Sequence, residues 1–141
     1  MESQIKRLIM KIESQRVEVK TTQKEVFEFL SNAKNIEELL PQDNIKEFQA
    51  DEKSCSFKVQ GGITITLVQD TLLPFERIEM KSGEKSPFPF ELTIFIESIE
   101  GKTVGYLTFD GEVNSFLKMM VQKPLTNLFN YMSVKIKEKY D

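Results

Sequence analysis

From Ser54 to Asp110 apolar and polar side chains alternate with a period of two. Cys55, Phe57 and Val59 are interleaved with Ser54, Ser56 and Lys58; Ile63, Ile65 and Leu67 with Thr64, Thr66 and Val68; Ile78 and Met80 with Arg77, Glu79 and Lys81. Phe88, Phe90, Leu92, Ile94 and Ile96 alternate mostly with polar residues, and Leu107 and Phe109 with Tyr106, Thr108 and Asp110. Successive side chains of a strand point to opposite faces, so the pattern predicts half-buried strands in an antiparallel meander. Turn residues separate them at Gly61-Gly62, Leu73-Pro74, Ser82 to Pro87 and Glu100-Gly101-Lys102. Six strands are expected between Ile45 and Val113, and a seventh from Leu8 to Lys20, ending in the alternation Val17-Glu18-Val19-Lys20.

Helical periods flank this block. Thr22-Gln23-Lys24-Glu25 reads as a capping box, in which hydroxyl and carboxylate satisfy reciprocal backbone donors. It opens a helix with Val26, Phe27, Phe29 and Leu30 on its apolar side. Asn32 and Asn35 punctuate it and cap a second short helix carrying Ile36, Leu39 and Leu40, which Pro41 stops. At the other end, Leu117, Met120, Val121, Pro124, Leu125, Leu128, Phe129, Met132 and Ile136 form one apolar stripe from Ser115 to Tyr140. That is a helix of about 26 residues, about 39 Å long, which Pro124 is expected to kink or restart near Lys123. Only the apolar face of the sheet is broad enough to cover such a stripe.

The order strand, two short helices, six antiparallel strands and long C-terminal helix resembles the START-like or SRPBCC superfamily of polyketide cyclases, lipid-transfer domains and hormone and allergen binders. The residues carrying the resemblance are Val26-Phe27-Glu28-Phe29-Leu30-Ser31, Leu39-Leu40-Pro41, Pro87-Phe88 and Phe116-Leu117-Lys118-Met119-Met120. It implies an α+β helix-grip fold over residues 1–141 as one domain, a curved antiparallel sheet of six to seven strands wrapped around the final helix. It also implies a ligand cavity between sheet and helix. By position its lining is Phe57, Ile65, Met80, Phe90, Leu92, Phe109, Met120, Leu128, Phe129 and Met132, with a mouth near the loops after Leu73 and Gly83. A lining of that kind suits an apolar, lipid-like or polyketide-like ligand, and methionines suit a loosely specified one. The same residues at the same spacing also describe a plain hydrophobic core.

Composition narrows the picture. At 141 residues, with 40% hydrophobic and 29% charged, the chain can bury a core without disulfide or metal support. A net charge of -3 argues against nucleic acid as a partner, and no stretch is apolar enough for integral membrane association. The charge is uneven: beyond Val113 there are five lysines but only Glu138 and Asp141 as acids. Lys135, Lys137 and Lys139 there complement the macrodipole of a helix end. Met1-Glu2-Ser3-Gln4-Ile5-Lys6-Arg7 leads into no signal-peptide core, and the lone Cys55 fits a reducing compartment, so a cytoplasmic location is expected.

The absence of histidine removes Ser-His-Asp and Cys-His nucleophilic sites and His-ligated zinc, and no nucleotide-binding glycine motif occurs. No cofactor and no metal site are expected, and Cys55 reads as a buried, inert thiol. Carboxylates such as Glu97, Asp110 and Asp70 fall on wet faces by strand parity. Gln69, Asn127, Asn130 and Tyr131 are the polar groups a cyclase-like pocket could use, and each fits a surface or helix-flank role as well. The resemblance therefore favours a non-catalytic carrier of an apolar molecule, where the residues alone favour a filled core. The alternatives are a filled-core domain acting through protein contacts and, third, a cyclase or dehydrase-like enzyme. Phe95, Val68, Val104 and Tyr106 point outward by parity and leave room for a homodimer interface.

Overall fold

A computed structural model describes residues 8–141; the polar lead-in Met1–Arg7 considered above lies outside the described residues. The strands are β1 (Leu8–Glu13), β2 (Val17–Val19), β3 (Lys46–Ala50), β4 (Ser54–Lys58), β5 (Thr64–Leu73), β6 (Arg77–Ser82), β7 (Phe90–Ile99) and β8 (Lys102–Val113). The helices are α1 (Gln23–Leu30), a 3-10 helix (Ala33–Leu39) and α2 (Ser115–Lys139). All strands belong to one curved antiparallel sheet in the order β1-β8-β7-β6-β5-β4-β3, with β2 also pairing with β8.

The expected first strand is two strands, which raises the count from seven to eight. Ser14 causes the break. Its side chain is buried, and its hydroxyl accepts from the Leu107 amide at 2.8 Å while donating to the Gln15 carbonyl. The chain thus steps out of register between Glu13 and Val17 yet remains on β8 throughout. A second irregularity lies in β5, where the register shifts between Gln69 and Thr71. Asp70 at that bulge pairs outward with Lys81 at 3.0 Å.

The alternation in the sequence matches the faces of the sheet. Cys55, Phe57, Ile65, Leu67, Ile78, Met80, Phe90, Leu92, Ile94, Ile96, Leu107 and Phe109 are all buried on the concave side, in one core with α1, the 3-10 helix and α2. Gly111 of β8 is dictated by close approach: a Cβ there would lie 2.9 Å from the Phe88 ring and 3.1 Å from that of Phe109.

The Thr22 hydroxyl caps α1 by accepting from the Glu25 amide at 3.1 Å. The reciprocal half of the expected box is absent, because the Glu25 carboxylate takes the Thr21 hydroxyl instead. Asn32 caps the 3-10 helix through the Lys34 amide. α2 runs without interruption through Pro124 and packs against β8, β1, β2 and the 3-10 helix. Of the kink or restart expected near Lys123, the restart does not occur.

Candidate functional site

The expected lining residues fall into two groups. Phe57, Ile65, Met80, Phe90, Leu92, Phe109, Leu128, Phe129 and Met132 come together in the interior, each at most 6% exposed. Their side chains occupy the space between sheet and helix. The Phe109 ring lies 4.8 Å from that of Phe90 and 5.0 Å from that of Phe129, so an aromatic column joins β7 and β8 directly to α2. Met120 departs from the expectation: at 49% exposure it stands on the outside of α2 with Phe116 and Met119. Met120 lies at the flank of the stripe, about 100° around the helix from the fully buried Val121, and so faces solvent although the first two turns of α2 bury Val121 and pack Leu117 against the core.

Open space is found elsewhere. A cleft of about 370 Å³ lies where α2 passes the connection from the 3-10 helix to β3 and the turn after β4. Its apolar surface is built by Pro41, Ile45, Val59, Pro124 and Leu128. Gln42, Asp43, Asn44, Gln60, Asn127 and Tyr131 supply the polar part. Local sequence explains each placement. Pro41 ends the 3-10 helix and turns the chain toward β3, and the Gln42 amide nitrogen fixes that turn by donating to the Glu37 and Leu40 carbonyls, both at 3.0 Å. Gly61 and Gly62, both with positive φ, turn the chain after Val59 and Gln60. Asn127 and Tyr131 are one turn apart on α2, and Pro124 is one turn before them. The expected mouth near Leu73 and Gly83 does not border this cleft; of the expected lining residues, Leu128 does.

The other polar groups singled out in the sequence serve the scaffold. Gln69 donates its side-chain amide to the Ser31 carbonyl and so closes the end of α1. The Asn130 carbonyl oxygen accepts from the Gln15 amide at 2.8 Å, fastening α2 to the corner between β1 and β2. Sequence reasoning missed Gln42, Asp43, Asn44 and Gln60. The local signal of the first three is a polar run between Pro41 and Ile45 that reads as a loop, and that of Gln60 is its place before the Gly61-Gly62 turn.

Electrostatics offers little for acid-base chemistry. Burial, helped by the nearby Asp51 carboxylate, pushes the Cys55 thiol up to about 12, so it remains protonated and inert. Hydrogen bonds from the Lys53 amide and the Ser54 hydroxyl and amide hold the Asp51 carboxyl below its ordinary value in the β3–β4 turn. Burial and a hydrogen bond to Glu97 raise Tyr106, whose ring stacks on Phe95 at 4.9 Å beneath the Arg16 guanidinium. Tyr106 thereby leaves the set of exposed apolar groups on the convex face. Among the described residues no cluster of three or more potential metal ligands occurs, and no buried side-chain polar atom lacks a partner. No described helix is long and apolar enough to cross a membrane.

No family model matches the sequence, and no curated protein does. Solved structures do match. Norcoclaurine synthase from Thalictrum flavum superposes with a TM-score of 0.69 at 14% identity, over 94% of this chain and 87% of that one. A conserved protein from Geobacillus kaustophilus gives 0.67 at 15% identity, over 94% and 95%. The Aha1 dimer from Colwellia psychrerythraea gives 0.64 at 14% identity, over 93% and 96%. Likenesses at such low identity bear on architecture alone, and they cover nearly the whole chain: the protein has the START-like helix-grip fold.

Proposed function

We propose that the protein binds an apolar small molecule, lipid-like or polyketide-like, between the sheet and α2, and that it does so without catalysing a reaction. The observation carrying this reading is the cleft beside Pro124. Its volume of about 370 Å³ lies within the range of roughly 300–1,000 Å³ in which small-molecule sites are built. Leu128 borders it, and the next inward positions on the helix are Phe129 and Met132. A ligand entering there meets first a mixed rim and then the apolar interior. Met80 and Met132 are the side chains best able to change rotamer and admit its tail. Phe57, Ile65, Phe90, Leu92, Phe109 and Phe129 form the wall beyond them.

The test is native mass spectrometry of the chain after exposure to a lipid extract from its own source. The expected result is a discrete mass excess that disappears on denaturation. Met132→Trp should abolish that uptake while the circular dichroism spectrum stays unchanged. Uptake that survives the substitution overturns the assignment of the site.

A second reading has its own support. The aromatic column occupies much of the interior, and Phe116, Met119 and Met120 expose apolar surface side by side on α2. A filled core with an apolar outer patch is what an interaction domain or a homodimer needs, and Aha1 from Colwellia psychrerythraea is a dimer. The cyclase or dehydrase reading draws less support, since Gln69 and Asn130 are engaged with backbone groups. A buried, protonated Cys55 is compatible with the cytoplasm as the site of action.

A further inference from the structure

We infer that the head group of the bound molecule is neutral and hydrogen-bonding, an alcohol or amide rather than a carboxylate or phosphate; the inference rests on the binding reading above. The polar rim of the cleft consists of four carboxamides (Gln42, Asn44, Gln60 and Asn127), one phenol (Tyr131) and one carboxylate (Asp43). Lysine and arginine are missing from that lining. Carboxamides both donate and accept, so they satisfy a hydroxyl or amide completely. Gln42 has its nitrogen committed to backbone carbonyls, which leaves its oxygen as an acceptor and favours a ligand that donates.

An anionic head group fares worse. At the exposed rim it gives up part of its hydration for contacts with side chains, none of them a cation among the lining residues. The sole charge on the rim is negative. Two of the lysines near it are engaged: Lys58 pairs with Glu47 at 3.3 Å, and Lys135, 5.6 Å from the Tyr131 ring centre, pairs with Glu138 at 3.5 Å. Lys46 and Lys58 line an adjoining depression that shares Asp43, Asn44, Val59 and Gln60 with the cleft, but neither lines the cleft.

Three probes with one tail separate the possibilities: dodecan-1-ol, dodecanoate and dodecyltrimethylammonium, each displacing the uncharged dye Nile red from the full chain at pH 7. Dodecan-1-ol should displace the dye with an apparent Kd at least tenfold below that of dodecanoate. Asp43→Lys, an exposed loop substitution, should bring dodecanoate at least tenfold closer to dodecan-1-ol, each apparent Kd being corrected for the dye affinity measured on the same variant. Dodecanoate binding as tightly as the alcohol overturns the head-group inference and leaves the binding site standing. Tighter binding of dodecyltrimethylammonium than of the alcohol overturns it as well, in favour of Asp43 as an ion partner. If neither the dye nor any probe binds, the binding reading fails and the head-group inference falls with it.

Discussion

Two sets of apolar residues on α2 meet opposite fates, one on the face toward the core and one on the face away from it. From Val121 to Ile136 the apolar positions Val121, Leu125, Leu128, Phe129, Met132 and Ile136 are buried, and Ser133 among them is fully enclosed. In the first two turns Phe116 is 66% exposed and Met119 78%. Composition does not distinguish the two sets; their angle about the helix does. Leu117 packs against the core and Val121 is fully buried within the first two turns, while Phe116, Met119 and Met120 lie on the opposite side of the same turns. The inner face of the helix is held by packing, and its first turn also by the Asn114 cap.

That contrast is most sharply probed where packing is densest. Phe129 sits 5.0 Å from the Phe109 ring and links the helix to the middle of the sheet. Phe129→Ala removes an almost fully buried ring whose neighbours belong to a rigid sheet, so the space left behind can collapse only in part. It should cost about 3–5 kcal/mol in urea unfolding. A loss below about 1 kcal/mol would mean that the column is loosely packed, and the distinction between the two faces would disappear.

The cap is the next lever. The Asn114 side-chain oxygen accepts from the Leu117 amide at 2.8 Å, one of the few specific restraints on the exposed turns. Asn114→Ala should cost about 1 kcal/mol by the same measurement. Amide hydrogen exchange should accelerate in the first turns and remain unchanged from Leu125 onward.

Much of this architecture was legible in the sequence because period-two alternation and turn residues report faces directly. β4 to β8 and α2 follow from that pattern, and their succession carries the resemblance to a helix-grip order. The departures have physical causes that pattern does not encode. Ser14 breaks the first strand through hydrogen bonds to residues 93 positions away. Pro124 is carried inside α2 rather than ending it, because packing of the turns on either side outweighs one lost backbone bond. The candidate cleft was the least legible part. It is assembled from a loop, a turn after β4 and one edge of a helix, and their meeting depends on register and curvature rather than on any local period. Met120 shows the same limit from the other side: helical spacing assigned it to the stripe, but spacing does not say how wide an arc of the helix the core covers, and Met120 lies outside that arc beside the buried Val121.

The smallest expected effect tests that limit. Met119 is the most exposed of the large apolar residues, and glutamine has nearly its shape and helix propensity. For the chain as a monomer, Met119→Gln removes no buried contact, so stability should stay within about 0.5 kcal/mol of the parent. The measurement is a thermal unfolding series across a hundredfold range of protein concentration. If the first turns of α2 are covered by a second copy, the parent's Tm will rise with concentration and the substitution will weaken that dependence, because association stabilises the folded chain by mass action. A Tm independent of concentration in both proteins would leave the outer patch of α2 without a partner in its own chain. The homodimer form of the second reading would then fall, and contact with a different protein would be what remains of it.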